Sequence, residues 1–268
     1  MHFFIPTPTN SKLELGVLTV HYYALCILLG IICAYLLTKK RYLARGGAAS
    51  EVSDLLLYLV PIGIIGGRLY HVISSPDAYF GKNGNALAVF KIWEGGMGIW
   101  GAVALATLAA YLYFQRHTSS VGFAIFADSV APALLIGQAI GRFGNWFNAE
   151  LFGKPSTLPW ALEIPLEKRP DGFAHFSTFH PTFLYEALWS LLCALILIYL
   201  PTVIRLKPGR LFIAYIALYS FGRFWIESIR IDSAHKILGL RLNMWVAATA
   251  FLSATVVLAI SLREKSES

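Results

Sequence analysis

Five charged side chains stand within, or at the edge of, long apolar runs: Arg68, Asp128, Arg142, Arg223 and Glu227. An ionised group at the centre of a bilayer costs about 2.5–3.5 kcal/mol on insertion scales, so each needs a partner, a wet cavity or a route to the interface. Snorkelling of the long arginine side chains is the bland account of each one taken alone. Their pattern asks for more. All three arginines directly follow a glycine (Gly67, Gly141 and Gly222), which leaves room for close approach of a backbone or a ligand. Three guanidiniums at one depth repel unless an anion sits between them, and the planar guanidinium fork suits a phosphate.

Arg223 and Glu227 are four residues apart and share a helical face. Tyr219 lies one turn before them and Arg230 one turn beyond. Either the pair is a structural salt bridge, or Glu227 orients Arg223 or accepts a proton. Asp128 reads as a structural partner. His180, Tyr185 and Glu186 form a second cluster where an apolar run begins, and His180, before Pro181, either caps a helix or serves a site. The densest mixture is Gly141–Gly153, GRFGNWFNAELFG, which sets Arg142, Asn145, Asn148 and Glu150 among Phe143, Trp146, Phe147 and Phe152. Such a stretch either lines a site or anchors an interfacial loop through its aromatics.

The elements that must position these residues follow from composition. Of 268 residues 57% are hydrophobic and only 14% charged, well below the roughly one quarter of soluble domains. The chain reads as an all-α polytopic membrane protein with seven transmembrane helices, forming one membrane domain over residues 1–268. The spans fall at about 17–37, 55–73, 97–114, 121–140, 183–200, 211–226 and 242–260. An outward-facing excursion of about 141–181 lies between spans four and five, too polar and Pro-rich to cross a bilayer. Within it PWALEIPLEKRPDG predicts a short strand or loop.

The net charge of +7 sits mostly in short loops, at Lys39–Arg45, Arg116, Arg205–Arg210 and Arg263–Lys265. Loop charge of this kind points to orientation and anionic lipid, not to nucleic acid. It predicts an outside N-terminus, a cytoplasmic C-terminus and an outward-facing Gly141 stretch. The N-terminus lacks a basic n-region and a long apolar h-region, which predicts no cleavable signal peptide. Cys26, Cys33 and Cys193 lie in apolar runs without metal-ligand spacing and read as packing residues. HExxH, GxSxG and P-loop signatures are absent, as is any histidine–carboxylate spacing suited to a metal.

GRFGNWFNAELFG closely resembles the signature of the phosphatidylglycerol–prolipoprotein diacylglyceryl transferases, bacterial enzymes that begin lipoprotein maturation. GGRLYHV, WEGGMGIWGA, HPTFLYEALW and FGRFWIESIR match further blocks of that family, in the family's order. The resemblance implies a seven-span plasma (inner) membrane enzyme with its site toward the outer leaflet. It implies transfer of the diacylglyceryl group of phosphatidylglycerol to the lipobox cysteine thiol of prolipoprotein signal peptides. A thioether forms and glycerol phosphate leaves, with no metal or soluble cofactor. Arg142, Asn145 and Gly153 match essential signature positions, Arg223 and Glu227 the essential Arg/Glu pair, and Tyr23 a functional tyrosine. Tyr219, His180, Tyr185 and Glu186 match further family positions; Arg68 and Arg230 join the expected headgroup contacts on the residue pattern alone.

One departure concerns chemistry. Many relatives carry a histidine, a natural general base, where this chain has Trp100. A lipid transporter or flippase, or a lipid-binding scaffold, is the alternative. A transporter predicts inverted repeats or paired broken helices, and the sequence shows neither.

Overall fold

The structure, a computed structural model, describes residues 4–16, 18–81, 84–92 and 95–266. A hairpin of β1 (Lys12–Leu15) and β2 (Leu18–His21) leads into α1 (Tyr22–Leu43) and α2 (Ala49–Ser74). A short α3 (Asp77–Phe80) and a 3-10 stretch (Ala86–Phe90) precede α4 (Ile99–Arg116) and α5 (Phe123–Asn148). Then come β3 (Leu162–Glu163), β4 (Thr178–Phe179), α6 (Thr182–Val203), α7 (Arg210–Ile229), the small hairpin β5 (Lys236–Ile237) and β6 (Leu240–Arg241), and α8 (Leu242–Ser266). The chain is mostly helical, and among the described residues five helices are long and apolar enough to cross a membrane: α1, α2, α5, α6 and α8. Two expected spans, α4 and α7, fall outside that group. The last turn of α4 carries Gln115 and Arg116, and α7 holds Arg223 and Glu227 inside its apolar run.

One boundary needs correcting. The polar stretch expected to begin at Gly141 begins at Ala149, because α5 continues through GRFGNWFN to Asn148. Glycines read as helix breakers in sequence. Here Gly144 serves packing instead: a Cβ there would lie 3.2 Å from Cα of Tyr23, so α1 approaches α5 at backbone distance. Trp93 and Glu94 of the WEGG motif lie outside the described residues.

The chain divides into two units, residues 39–126 and the remainder. In the first, Gly66 of α2 and Gly101 of α4 lie back to back, and a Cβ on either would collide with the other's carbonyl oxygen. Arg68, two residues beyond Gly66 on α2, donates from Nε to the Val89 carbonyl at 2.8 Å. Its Nη1 donates to the carbonyls of Gly95 at 2.6 Å and Gly96 at 3.0 Å, and its Nη2 to those of Ala88 and Lys91. All five guanidinium donors are therefore engaged by backbone. Arg68 is buried and pins residues 88–91 and 95–96 to α2.

In the second unit the core is built of small and branched residues from α5, α6 and α7: Ala131, Leu135, Cys193, Ala194, Leu197, Leu211 and Ala214. Cys193 is thus a packing residue, as expected. Gly30 of α1 and Gly137 of α5 make a second close crossing, with 2.9 Å between a Cβ on Gly30 and the Gly137 carbonyl oxygen. Asp128, near the start of α5, has a defined task. Its carboxylate accepts hydrogen bonds from the backbone N–H groups of Gly209 (2.8 Å) and Phe212 (2.9 Å). The first turn of a helix exposes N–H groups with no intrahelical partner, and a carboxylate there also complements the helix dipole. A residue from α5 thereby fixes where α7 begins.

Two outcomes are expected from these contacts. Asp128→Ala removes the cap of α7 and should lower stability by about 1–2 kcal/mol, with Asp128→Asn closer to the parent, as measured by thermal unfolding in detergent. Arg68→Met strands five carbonyls and should cost on the order of 3 kcal/mol in the same assay. An unchanged melting temperature in either variant would refute the role given to that residue.

Candidate active site

Backbone pairing draws the site together at one end of α5, α6 and α7. The Gly153 N–H donates to the His180 carbonyl and the His180 N–H to the Lys154 carbonyl, each at 2.9 Å. The Lys154 N–H donates to the Ile229 carbonyl at 2.9 Å, and Gly153 bridges Arg230. On the far side Ser156 donates to the Thr178 carbonyl, β3 pairs with β4, and Ile5 pairs with Leu162. A narrow ribbon thus links the N-terminal residues, the segment after α5, the entry to α6 and the exit of α7. Gly153 is needed because a Cβ would fall 2.8–2.9 Å from Ile229 Cγ2 and His180 Cβ. Phe152, Phe179 and Phe183 bury the ribbon's inner face. At the turn itself Ala149 and Leu151 adopt φ of 50° and 58°, a conformation that L residues with side chains seldom take.

The expected charged residues meet here. Glu186, in the second turn of α6, lies with Oε2 2.5 Å from Nη2 of Arg142 and with Oε1 3.1 Å from Nη1 of Arg223. Arg223 reaches from Nη2 to Oε2 of Glu227 at 2.8 Å, an i,i+4 pair along α7. Arg230 stands 3.8 Å from the same Glu227 oxygen and 4.0 Å from Glu186. Arg142 also donates to Oδ1 of Asn145 at 3.3 Å, and Asn145 donates to Oε1 of Glu150 at 2.8 Å. The anion between Arg142 and Arg223 is therefore one of the chain's own carboxylates.

Glu227 is fully buried, and its other oxygen is held by groups that sequence reasoning missed. Nε of Arg241 donates to Oε1 at 2.7 Å and Nδ2 of Asn243 at 3.2 Å. Arg241 reaches from Nη2 to Asp232 at 2.9 Å, and Asp232 accepts from Nε of Arg230 at 2.7 Å. Burial pushes the Asp232 carboxyl up, but the Arg230 hydrogen bond and the charges of Arg230 and Arg241 outweigh it and hold the group below the usual carboxylate range. Arg241 directly precedes the apolar run of α8, and Asp232 follows Arg230 by two residues. Those positions were the available signal. Side-chain exposure separates the arginines: Arg142 keeps 22% and Arg223 19%, against 6% for Arg230 and 10% for Arg241. Arg142 and Arg223 are the pair that still meets the surroundings.

The remaining candidates fall into three groups. Tyr219 shares a small cavity with Glu186, Ser190 and Arg223, and Tyr23 packs against Gly144. His180 and Tyr185 form a separate pair, with Nδ1 of His180 3.0 Å from the Tyr185 hydroxyl, which accepts from Nε1 of Trp160 at 3.2 Å. Burial and the charge of Lys154 push the His180 pKa down, which favours the neutral ring. The His180 side chain makes no cap on α6. Arg68 belongs to the other unit.

Apolar spans carrying a buried cluster of arginines and carboxylates define a multi-pass membrane protein with an ionic site. Residues 11–260 match the family model described as prolipoprotein diacylglyceryl transferase. The phosphatidylglycerol–prolipoprotein diacylglyceryl transferase of Cutibacterium acnes is 51% identical over 256 residues, covering 96% of this chain and 86% of that protein. The enzyme so named and numbered 2 in Streptomyces coelicolor is 47% identical over 258 residues, covering 96% and 81%. The Bifidobacterium adolescentis enzyme is 45% identical over 265 residues, covering 94% and 78%. This chain belongs to the prolipoprotein diacylglyceryl transferase family.

Arg241→Ala leaves buried Glu227 with one guanidinium fewer and leaves Asp232 with Arg230 as its remaining arginine partner. Removing one partner of a buried pair costs about 3–5 kcal/mol, so a clear drop in the detergent melting temperature is expected. No drop would mean that Arg241 is dispensable to the cluster.

Proposed function

We propose that this chain transfers the diacylglyceryl group of phosphatidylglycerol to the lipobox cysteine thiol of prolipoproteins, with Arg142 and Arg223 holding the lipid phosphate. The names of its relatives give both substrates. One observation carries the residue assignment: the guanidiniums of Arg142 and Arg223 converge on a single carboxylate, that of Glu186, while retaining exposed surface. Two forks that meet on one anion fit another of similar size. The directly ion-paired groups of this cluster are four guanidiniums (Arg142, Arg223, Arg230, Arg241) and three carboxylates (Glu186, Glu227, Asp232), an excess of one positive charge. A phosphodiester carries one negative charge.

Attack of the thiolate on the glycerol carbon expels a phosphate monoester, and charge grows on the oxygen that leaves. Guanidiniums already in place stabilise that charge without reorganising, which is often the largest catalytic term. Asn145, fixed by Arg142 and Glu150, orients the headgroup. Glu227 aims Arg223 as a fixed counter-ion, since its oxygens already face Arg223, Arg230, Arg241 and Asn243. Arg68 has no donor to spare for the lipid.

In the bilayer α4 and α7 complete a set of seven spans. Their 18 and 20 residues give about 27 and 30 Å of helix, near the roughly 30 Å hydrocarbon thickness. The basic loops then face the cytoplasm with the C-terminus, and the N-terminus, the ribbon and the site face outward in a bacterial plasma membrane. Prolipoproteins carrying a lipobox cysteine and membrane lipids are the partners.

A cysteine peptide incubated with the protein and phosphatidylglycerol vesicles should gain the mass of one diacylglyceryl unit. Arg142→Ala and Arg223→Ala should each reduce that transfer by about 100-fold or more while still inserting. Near-parent rates would remove the phosphate role, and an unmodified peptide with the parent protein would favour a transporter or scaffold.

A further inference from the structure

We propose that Glu186 is the proton acceptor for the attacking thiol, released for that task when the lipid phosphate takes Arg142 and Arg223 from it. The proposal rests on the transfer reading above. A thiol is a poor nucleophile and must lose its proton, and the site's charged groups must supply the acceptor. The other candidate acceptors of the site are held. Glu227 is fully buried, with Oε1 accepting from Arg241 and Asn243, and Oε2 makes no hydrogen bond but stays ion-paired with Arg223 at 2.8 Å and Arg230 at 3.8 Å. Asp232 is tied by Arg230 and Arg241, and Glu150 accepts the amides of Asn145 and Asn148. His180 lies in a separate pair, its Nδ1 engaged with the Tyr185 hydroxyl at 3.0 Å.

Glu186 differs in one respect. Its close partners are the two guanidiniums that keep exposed surface and converge where an anion fits. The titratable and charged groups that face it are Arg142 from α5 and Arg223, Arg230 and Tyr219 from α7, with Arg230 no nearer than 4.0 Å. A phosphate that takes both guanidiniums leaves this buried carboxylate without its close counter-ions, with both oxygens open to accept a hydrogen. Substrate binding thereby creates the base.

The step balances. The cysteine S–H proton moves to Glu186, the thiolate forms the S–C bond at the glycerol carbon, and the C–O bond to phosphate breaks with its electron pair leaving on oxygen. Glu186 then passes the proton to the departing glycerol phosphate, which leaves as a monoanion, and re-forms its pairs with Arg142 and Arg223. The enzyme returns to its starting charge.

The test uses paired lipobox peptides carrying cysteine or selenocysteine, kept reduced, with phosphatidylglycerol vesicles and the full-length protein. A selenol is ionised at neutral pH and needs no base. Glu186→Gln is expected to lose about 100-fold or more with the cysteine peptide and to recover to within about tenfold of the parent with selenocysteine. Equal loss with both peptides would overturn the base role and leave Glu186 as a positioning residue, and an undiminished cysteine rate would overturn it outright. Should Glu186→Gln fail to insert, Glu186→Asp carries the same comparison, with selenocysteine expected to be the faster substrate relative to the parent. A parent protein that modifies neither peptide would instead refute the transfer reading.

Discussion

Two arginines from different helices held on one carboxylate from a third is the contact on which the site depends. Arg142 of α5 and Arg223 of α7 would repel in an apolar setting, and Glu186 of α6 turns that repulsion into a junction. Buried ion pairs contribute little net stability because desolvation offsets attraction, but breaking one is costly. The junction therefore fixes geometry more than it adds stability. Other features serve it. Asp128 sets where α7 starts, and a glycine at 222 lets the Trp189 indole lie flush on α7 with its N–H on the Leu218 carbonyl. The backbone ribbon through Gly153 fixes the ends of all three helices.

Much of this was legible in the sequence. The apolar runs marked every long helix, and spacing alone paired Arg223 with Glu227. The clustering of Arg142, Asn145, His180 and Glu186 near two helix termini followed from their positions beside apolar runs. The start of the polar stretch was misplaced by eight residues, because glycine's intrinsic penalty in a helix is about 1 kcal/mol and a close crossing with Tyr23 outweighs it. Glycines before the arginines were expected to admit a backbone or a ligand. Near Gly222 the space is filled by Trp189, and near Gly141 by Ile27.

Partners were harder to read than positions. An anion between the arginines followed from electrostatics, but its identity as Glu186 needed the fold. Arg68 looked like its two counterparts, and nothing local showed that carbonyls at Ala88, Val89, Lys91, Gly95 and Gly96, twenty or more residues on, would engage all five of its donors. Arg241 is separated from Arg230 by a turn and the β5–β6 hairpin, so no helical periodicity connects them. Charges placed by hairpins leave no periodic trace.

The holding of Glu227 bears on how the protein is made. Its α7 partners, Arg223 and Arg230, are synthesised alongside it, but Arg241 and Asn243 come from the hairpin and the first turn of the last helix. A nascent chain that has inserted only through α7 holds the whole GRFGNWFN segment and the Arg223–Glu227 pair, yet leaves one oxygen of a buried carboxylate without its donors. Completion of the ionic cluster is thereby tied to translation of the final span, and the charged site closes only when the last helix has been delivered to the bilayer.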